Sequence, residues 1–443
     1  MNRTTLVNIF ILLIGVIGVF VSFLSDEIFY SLVLFFLFVL LVIFANSNNG
    51  LADPRLFFLP FFYLYSTWFP MQVMFASPVI NRFHLDENLL IAVVNYAFLG
   101  GVFFCLGVFL SLRLKKITPP KSFIAEVYTG EMPSERLLIL GLFFFVIFGL
   151  CYAFFSGAVS KREIIDDGGV VISVIIFSFI LLTALISMRL LRFLGEWKLN
   201  FSIYLFLCLS FCFMLVLGER DAVFRIFMVM ALIYYDFNRR GSLVFLALMV
   251  LGAILVVPFS QAFKSALISG QFEVSVISLD LILSNEFVSA SRNLYSLLYY
   301  GVNHGLSYFY TDIVRGVFPS FISGVFLDIG STSSWYNRVY RVEHGFSGGS
   351  GWGFGLVAQG YLIAGLAGIS VLMFLVGLFL GFLFSLRFRS EYWYVFFIMS
   401  AAASIYCIRA DIGALIAQTA KVSGGAVFFI FLTHELFKRR SVL

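Results

Sequence analysis

The chain is short of charged residues. Asp, Glu, Lys and Arg make up 12% of its 443 residues, whereas 61% are hydrophobic. Soluble domains carry about 25% charged and about 45–50% apolar residues. A soluble core cannot bury this much apolar surface, so the composition excludes an ordinary soluble protein and predicts a bilayer as the solvent. The net charge of +5 is concentrated in short loops, which is information on topology and not a sign of nucleic-acid binding.

Signatures of metal, disulfide and serine chemistry are also missing. The four His residues and the carboxylates show no HxxxH or DxD spacing, so neither a metal nor another cofactor is predicted. The five Cys residues show no CxxC spacing, which gives no indication of a disulfide framework. No GxSxG motif occurs in a strand–turn–helix context, so a serine nucleophile is unsupported. The inverted internal repeat of many secondary transporters is not detectable.

Long apolar runs, in contrast, are abundant. A helix of about 20 apolar residues crosses the roughly 30 Å hydrocarbon core. We therefore predict an all-α polytopic membrane protein with about 12 transmembrane helices. The predicted spans are 5–24, 28–45, 56–76, 88–112, 137–157, 169–188, 200–217, 222–237, 242–258, 352–384, 391–408 and 412–433. Residues 1–258 then contain helices one to nine, 259–351 form one large loop, and 352–443 contain the last three helices.

Lys and Arg in the short connections predict the orientation. With the N-terminus inside, 17 of these residues fall on the cytoplasmic side and 6 on the outer side. The ratio predicts that both termini are cytoplasmic and that the large loop faces outward, which in a bacterium is the periplasm. In that loop, residues 286–300 and 306–317 have helical periodicity, whereas the Gly and Ser content predicts an irregular chain over 331–355. Gly377 and Gly381 form a GxxxG motif for close helix packing.

Two short polar motifs interrupt the apolar runs near their predicted outer ends. The sequence LGERD (217–221) contains Arg220, and Arg225 follows one turn later inside the next span. Arg409-Ala-Asp ends the eleventh span. An arginine in or beside a span is costly and is interpreted as functional, since guanidinium groups match phosphate oxygens; the alternative is a structural ion pair. Lys421 follows in the next apolar run, and either the twelfth span begins after it or it lies deep in the bundle.

The large loop supplies the other candidate reactive groups, which are Arg292, His304, Arg315, Arg338, Arg341, Glu343 and His344. Glu343 and His344 closely follow two arginines. A carboxylate or imidazole beside cations suits a general base for a hydroxyl nucleophile, although a lone His is more often a surface residue. Trp335, Tyr336 and Tyr340 suit either stacking on sugar rings or an aromatic belt at the membrane interface.

Several of these motifs resemble the Wzy-type O-antigen polymerase family, the oligosaccharide repeat-unit polymerases. Residues 348–365 (GGSGWGFGLVAQGYLIAG) resemble the glycine-rich start of a late span, for which the family pattern is roughly G-x-S-x-x-A-E-x-Y-x-N-F-G. The matching positions are Phe354 to Leu356, Ala358, Tyr361 and Gly365. Gln359 replaces the family's acidic residue, so an acid role is not expected there. LGER resembles the family's G-x-R, Arg409-Ala-Asp its R-G-D-like outer turn, and Phe318-Pro its L-P.

The resemblance implies a metal-independent C-type glycosyltransferase of the bacterial inner membrane, without a cofactor and with an active site facing the periplasm. It would join undecaprenyl-diphosphate-linked repeat units into O-antigen or a similar polysaccharide. Its partners would be lipid-linked glycan donor and acceptor and membrane lipid, with a chain-length regulator as a further candidate and no nucleic acid. The predicted diphosphate-binding residues are Arg220, Arg225 and Arg409, and the predicted catalytic residues are Arg220, Glu343 and His344. The predicted glycan-binding residues are Arg292, Arg338, Arg341, Trp335, Tyr336 and Tyr340.

Other functions stay open at this point. The nearest alternative is an O-antigen ligase, which uses the same lipid donor with lipid A core as acceptor. A transporter or flippase for lipid-linked glycans is a second alternative, although charge at the membrane midplane and two related halves are expected there. A membrane acyltransferase is a third and requires a catalytic His facing the acyl donor.

Overall fold

The computed structural model describes residues 3–75, 85–113, 133–155, 161–192, 201–217, 220–238, 240–252, 287–318, 330–345 and 353–440, together with Phe123, Ile254 and Ile322. Within these residues the chain is helical and no β-strand occurs, so the all-α prediction is confirmed for them. The predicted loop section 259–286 lies outside the described residues, as do Glu219 and Trp352.

The described helices follow the predicted runs closely. They are α1 (Arg3–Phe23), α2 (Ile28–Asn46), α3 (Pro54–Phe75), α4 (Glu87–Arg113), α5 (Pro133–Phe155), α6 (Lys161–Arg192), α7 (Phe201–Leu217), α8 (Arg220–Phe237), α9 (Ser242–Gly252), α10 (Val288–Tyr300) and α11 (Ser307–Val317). Helix α12 consists of Thr332–Trp335, a π-helical turn Tyr336–Tyr340 and Arg341–Glu343. Then come α13 (Leu356–Leu386), α14 (Glu391–Cys407) and α15, which consists of Ile412–Ala417, π-helical Gln418–Gly424 and Gly425–Arg440.

Seven of the described helices are long and apolar enough to cross a membrane. They are Thr5–Phe23, Ile28–Asn49, Glu87–Leu112, Glu135–Tyr152, Val174–Arg192, Leu356–Arg389 and Ile412–Phe437. Their number and composition are consistent with a multi-pass membrane protein. Helix α14 has 17 residues and is therefore shorter than these, and α3 contains Pro60 and Pro70.

Three buried groups of ion-paired side chains lie at one end of the bundle, called here the ion-pair end. They are Asp53–Arg55 in and before α3, Glu135–Arg192–Glu391 between α5, α6 and α14, and Asp236–Arg387 between α8 and α13. Asp236 lies against Gly50, three residues before Asp53, and accepts a hydrogen bond of 3.2 Å from the hydroxyl of Tyr394 in α14, the helix that also contains Glu391. A buried charge is tolerated only with a partner, and each arginine here has a carboxylate.

Helices α4 and α13 pack in direct backbone contact. A Cβ added at Gly107 would lie 2.7 Å from the backbone nitrogen of Leu378, and one added at Gly377 would overlap the carbonyl of Phe104. Gly381 approaches the same helix one turn later. The prediction that Gly377 and Gly381 permit close helix packing is therefore confirmed.

Helix α13 is not the single long span predicted from its sequence. Its 31 residues would extend over about 46 Å, well beyond the roughly 30 Å hydrocarbon core. The helix breaks at Ala364–Gly365, where Gly365 has φ +60°. The two halves fold back on each other, because a Cβ added at Gly360 would lie 2.6 Å from the Cα of Ile369. The chain thus forms a short α13 arm (residues 356–363) and an α13 span (residues 366–386).

The predicted loop contains ordered helices that pack on the bundle. Helices α10 and α11 confirm the two helices predicted there. The prediction of an irregular chain over 331–355 is wrong for its first half, since α12 occupies it. Aromatic side chains of α12 are buried against α10, and this burial outweighs the local Gly and Ser content. Helices α10 and α12 are paired through Asn293–Tyr336, Ser296–Tyr340 and Tyr300–His344.

Candidate functional site

Two of the predicted diphosphate-binding arginines meet at one aromatic ring. The guanidinium carbon of Arg409 lies 4.7 Å from the ring centre of Tyr406, and that of Arg225 lies 5.2 Å from the same centre. The two carbons are consequently no more than about 10 Å apart. Arg225 belongs to α8 and Arg409 to the turn after α14, so only the fold brings them together. Arg220 begins α8, and its side chain lies outside the described ones.

Helix α15 contributes two further polar side chains, Gln418 and Lys421. Arg225 donates a hydrogen bond of 2.8 Å from Nη1 to Oε1 of Gln418, and Nζ of Lys421 donates one of 2.5 Å to the carbonyl of Arg315 in α11. Gln418 and Lys421 belong to the π-helical segment of α15, and π-helical turns are frequent at functional sites. The helix is continuous through Lys421, so the span does not begin after it. Lys421 is half-buried and faces helix α11.

The turn that contains Arg409 is fixed by the glycine-rich segment before α13. The N–H groups of Gly355 and Leu356 donate hydrogen bonds of 3.0 and 3.1 Å to the carbonyls on either side of Arg409. A Cβ added at Gly353 would overlap the Arg409 carbonyl. Glycine is required here by this backbone approach, and Gly355 in addition has φ +110°.

A buried side-chain network lies next to this turn. Asp312 of α11 accepts a hydrogen bond of 3.0 Å at Oδ1 from the N–H of Thr332 and one of 2.6 Å at Oδ2 from Nε2 of Gln359. The hydroxyl of Thr332 also contacts Oδ2. Oε1 of Gln359 accepts a hydrogen bond of 2.7 Å from the N–H of Ile412. The network therefore joins α11, α12, the α13 arm and the start of α15.

Asp411 forms the second carboxylate of this network. Its Oδ1 accepts a hydrogen bond of 2.7 Å from the N–H of Ala414, which makes it the N-cap of α15. Its Oδ2 accepts one of 2.5 Å from the hydroxyl of Ser333 and one of 3.3 Å from the Ser333 N–H. Asp411 thus ties the first turn of α12 to the turn that contains Arg409.

The carboxyl of Asp312 has an unusual proton affinity. Burial and the nearby charge of Asp411 raise its pKa to about 7, against the opposing hydrogen bonds from Thr332 and the charge of Arg315. Both protonation states fit the network, because the Thr332 hydroxyl can donate to an ionised carboxylate or accept from a protonated one. Gln359 must donate in both states.

The predicted catalytic residues Glu343 and His344 lie at the other end of α12. The His344 ring stacks on Tyr300 with 3.9 Å between centres and contacts Tyr340 at 4.5 Å. Partial desolvation lowers the pKa of His304, and the charge of the exposed Glu343 opposes this shift. His304 lies edge-on to Trp335 at 4.5 Å.

The predicted glycan-binding side chains are divided between the interior and the surface. Tyr336 and Tyr340 are 0% and 1% exposed and Trp335 is 8% exposed, so their rings are occupied by packing in this structure. Burial raises the pKa of Tyr336 to about 12, and the charges of Arg292 and Arg341 oppose this. Of the three predicted arginines, Arg338 is exposed and Arg292 is half-buried, whereas Arg341 is buried and donates to Asn337 at 3.2 Å.

The two predicted sets of residues are separated along α12. Ser333 touches the Arg409 turn, whereas His344 comes eleven residues later, which corresponds to about 15 Å of helix. The structure therefore brings Arg225 and Arg409 together but does not place Glu343 and His344 beside them.

Sequence reasoning missed the network of Asp312, Gln359 and Thr332. Asp411 could have been recognised as a helix N-cap, since it directly precedes an apolar run. Asp312 and Thr332 offered no local signal, because their partners are distant in sequence. No family model, curated protein or solved structure matches this chain.

Proposed function

We propose that this chain is a glycosyltransferase that polymerises undecaprenyl-diphosphate-linked oligosaccharide repeat units into O-antigen or a similar surface polysaccharide. The observation that supports the proposal best is the meeting of Arg225 and Arg409 at the Tyr406 ring. Both arginines were selected from sequence as ligands of a lipid diphosphate. Their guanidinium groups suit phosphate oxygens through paired, charge-assisted hydrogen bonds.

In the proposed reaction, the terminal sugar hydroxyl of one lipid-linked repeat unit attacks the anomeric carbon of a growing glycan. A new carbon–oxygen bond forms, the bond from that carbon to the diphosphate oxygen breaks, and undecaprenyl diphosphate leaves. The hydroxyl proton passes to a base. Negative charge develops on the leaving diphosphate, so Arg225, Arg409 and Arg220 would stabilise the transition state more than the bound substrate.

The acceptor glycan is proposed to lie along the outer helices. Glu343, His344 and the exposed Arg338 are the residues that we assign to orienting it. The attacking hydroxyl must lie close to the carbon that is bonded to the diphosphate, so Glu343 and His344, about 15 Å away along α12, are too distant to deprotonate it. The burial of Tyr336 and Tyr340 favours a role in shaping α10 and α12 over direct stacking on sugars. An acceptor glycan that reaches from the arginines to His344 must extend over about 15 Å.

The arrangement of charges supports the proposed orientation in the bacterial inner membrane, with twelve spans and the site facing the periplasm. Arg55, Arg192 and Arg387, all from the predicted cytoplasmic set, lie together at the ion-pair end. Arg225 and Arg409, both predicted on the outer side, lie together near the outer helices α11 and α12.

Replacement of the two arginines tests the function. Arg409→Ala and Arg225→Ala are each expected to lower the polymerisation rate by about 10²- to 10³-fold, which is typical of losing one group that stabilises developing charge. Arg409→Lys keeps the charge but not the planar fork and should recover only part of the rate. Arg389→Ala, an exposed arginine near the ion-pair end, is the matched control and should retain long chains.

The assay is the length distribution of surface glycan in a deletion strain complemented with each variant, followed by purified enzyme with lipid-linked repeat units. The deletion strain should carry single-repeat glycan. Complete loss of surface glycan would instead indicate a ligase. Accumulation of the lipid-linked substrate inside the cell would indicate a flippase. Long chains made by both arginine variants would contradict the proposal.

A further inference from the structure

We propose that Gln359 is a positioning residue whose neutral amide couples the outer helix α11 to the turn that contains Arg409. The inference rests on the proposed role of Arg409 at the lipid diphosphate. Gln359 lies in the α13 arm and is 1% exposed. Its two polar atoms have different partners: Nε2 donates to Asp312 in α11, and Oε1 accepts from the N–H of Ile412, three residues after Arg409.

Backbone N–H groups at both ends fix the direction of every hydrogen bond in this chain of contacts. The N–H of Thr332 requires an acceptor at Oδ1 of Asp312, and the N–H of Ile412 requires an acceptor at Oε1 of Gln359. Flipping the Gln359 amide would place two donors face to face at Ile412. The only arrangement that satisfies all groups has a donor on residue 359 facing an acceptor on residue 312.

A carboxylate at position 359 cannot replace the amide. When ionised it offers acceptors alone, so Asp312 would lose its donor and two buried acceptors would face each other. It would also bring a third negative group close to Asp312 and Asp411. Repulsion between buried carboxylates favours sharing of one proton, as in other carboxylate pairs.

The charged groups around the network come from two helices. Helix α11 contributes Asp312 and Arg315, and α15 contributes Asp411 and Lys421, the latter through its bond to the Arg315 carbonyl. The first turn of α12 contributes the hydroxyls of Thr332 and Ser333, and the α13 arm contributes Gln359. Among these charged side chains, Asp312 is in direct contact with Gln359.

Three substitutions follow from this geometry. Gln359→Glu should uncouple α11 from the turn at high pH and recouple it at low pH, because one proton shared between residues 312 and 359 restores the hydrogen bond. That proton is bound below the upper pKa of the pair and lost as the pH rises through it. Asp312→Asn alone places two amide donors opposite each other and should uncouple the elements. The double variant Asp312→Asn/Gln359→Glu reverses the bond and should recouple them at every pH.

The coupling is measured by hydrogen–deuterium exchange of α11 and of residues 407–414 in the purified full-length protein in detergent, with rates corrected for intrinsic pH dependence. In the Gln359→Glu variant, the amide hydrogens of these two segments are expected to exchange about 10- to 100-fold faster than in wild type at pH 8. At pH 5 their exchange rates should lie within about threefold of the wild-type rates. Methionine has a similar volume to glutamine and no hydrogen-bond donor, so the Gln359→Met variant should show fast amide exchange at both pH values. The double variant should match wild type at both.

Glycan chain length in complemented cells at external pH 5.5 and 7.5 gives the functional measurement, with chains shortened in Gln359→Glu only at the higher pH. Equal exchange of Gln359→Glu and wild type at pH 8, or failure of the double variant to recover, would overturn the role of Gln359. A deletion strain with normal glycan would overturn the proposed function, and the exchange rates would still decide the role of Gln359.

Discussion

The buried ion pair between Asp236 and Arg387 offers a direct test of the fold. Nε of Arg387 lies 3.1 Å from Oδ2 of Asp236 and Nη2 lies 3.4 Å from Oδ1, with the two side chains 3% and 1% exposed. Tyr394 donates to the same carboxylate at 3.2 Å. We consider Asp236→Asn, which keeps the volume and removes the charge, together with Arg387→Leu and the double variant.

Removing one partner of such a pair leaves an uncompensated buried charge. We therefore expect Asp236→Asn to lower the free energy of unfolding by about 3–5 kcal/mol. Arg387 keeps its bond of 2.8 Å to the Phe384 carbonyl and its contacts with the Phe384 and Phe388 rings, which places the cost at the lower end of that range. The double variant removes both charges and should be more stable than Asp236→Asn by about 1–3 kcal/mol, since no charge remains buried.

The assay is reversible unfolding of the purified protein in mixed detergent micelles, analysed as a double-mutant cycle. Arg389→Leu, at a neighbouring exposed arginine, is the control and should change the stability by no more than about 0.5 kcal/mol. A loss below about 1 kcal/mol for Asp236→Asn would refute the buried pair, since exposed pairs have values of that size. A double variant less stable than both single variants would refute the electrostatic explanation.

Two further predictions concern helix packing and helix α11. Gly377→Leu should abolish the monodisperse folded protein in size-exclusion chromatography, because any side chain there overlaps the Phe104 carbonyl; Gly141→Leu, where an added Cβ meets nothing within 4 Å, should behave as wild type. Lys421→Met removes the donor to the Arg315 carbonyl and should speed hydrogen–deuterium exchange in α11 by about fivefold, as expected for one hydrogen bond of about 1 kcal/mol. An unchanged rate in α11 would show that this bond does not fix the helix.

Much of the architecture was predictable because helices of span length are encoded in local composition. Apolar runs of span length, the two short helices α10 and α11, and the close packing at Gly377 and Gly381 all follow from periodicity and residue size. The break at Ala364–Gly365 did not follow, because every residue around it is apolar or small. Its cause is the contact of the α13 arm with the α13 span, which hydropathy does not report.

The site was predictable to a smaller extent. Arg225 and Arg409 were identified as cations in or beside apolar runs, where an unexplained charge is costly. Nothing in the sequence indicated that both face Tyr406. The irregular chain expected over 331–355 was wrong in its first half, because the burial of Tyr336 and Tyr340 against α10 stabilises a helix that local composition disfavours.

The sequence by itself determined the helical class of the described chain, because the cost of unpaired backbone groups in hydrocarbon leaves helices as the solution for long apolar runs. It also determined which charges required an explanation. The tertiary structure alone decided which of those charges meet, since Arg225 and Arg409 are brought together by helices distant in sequence. It decided likewise that Gln359 joins Asp312 to Ile412, because hydrogen-bond direction depends on which donors and acceptors face each other.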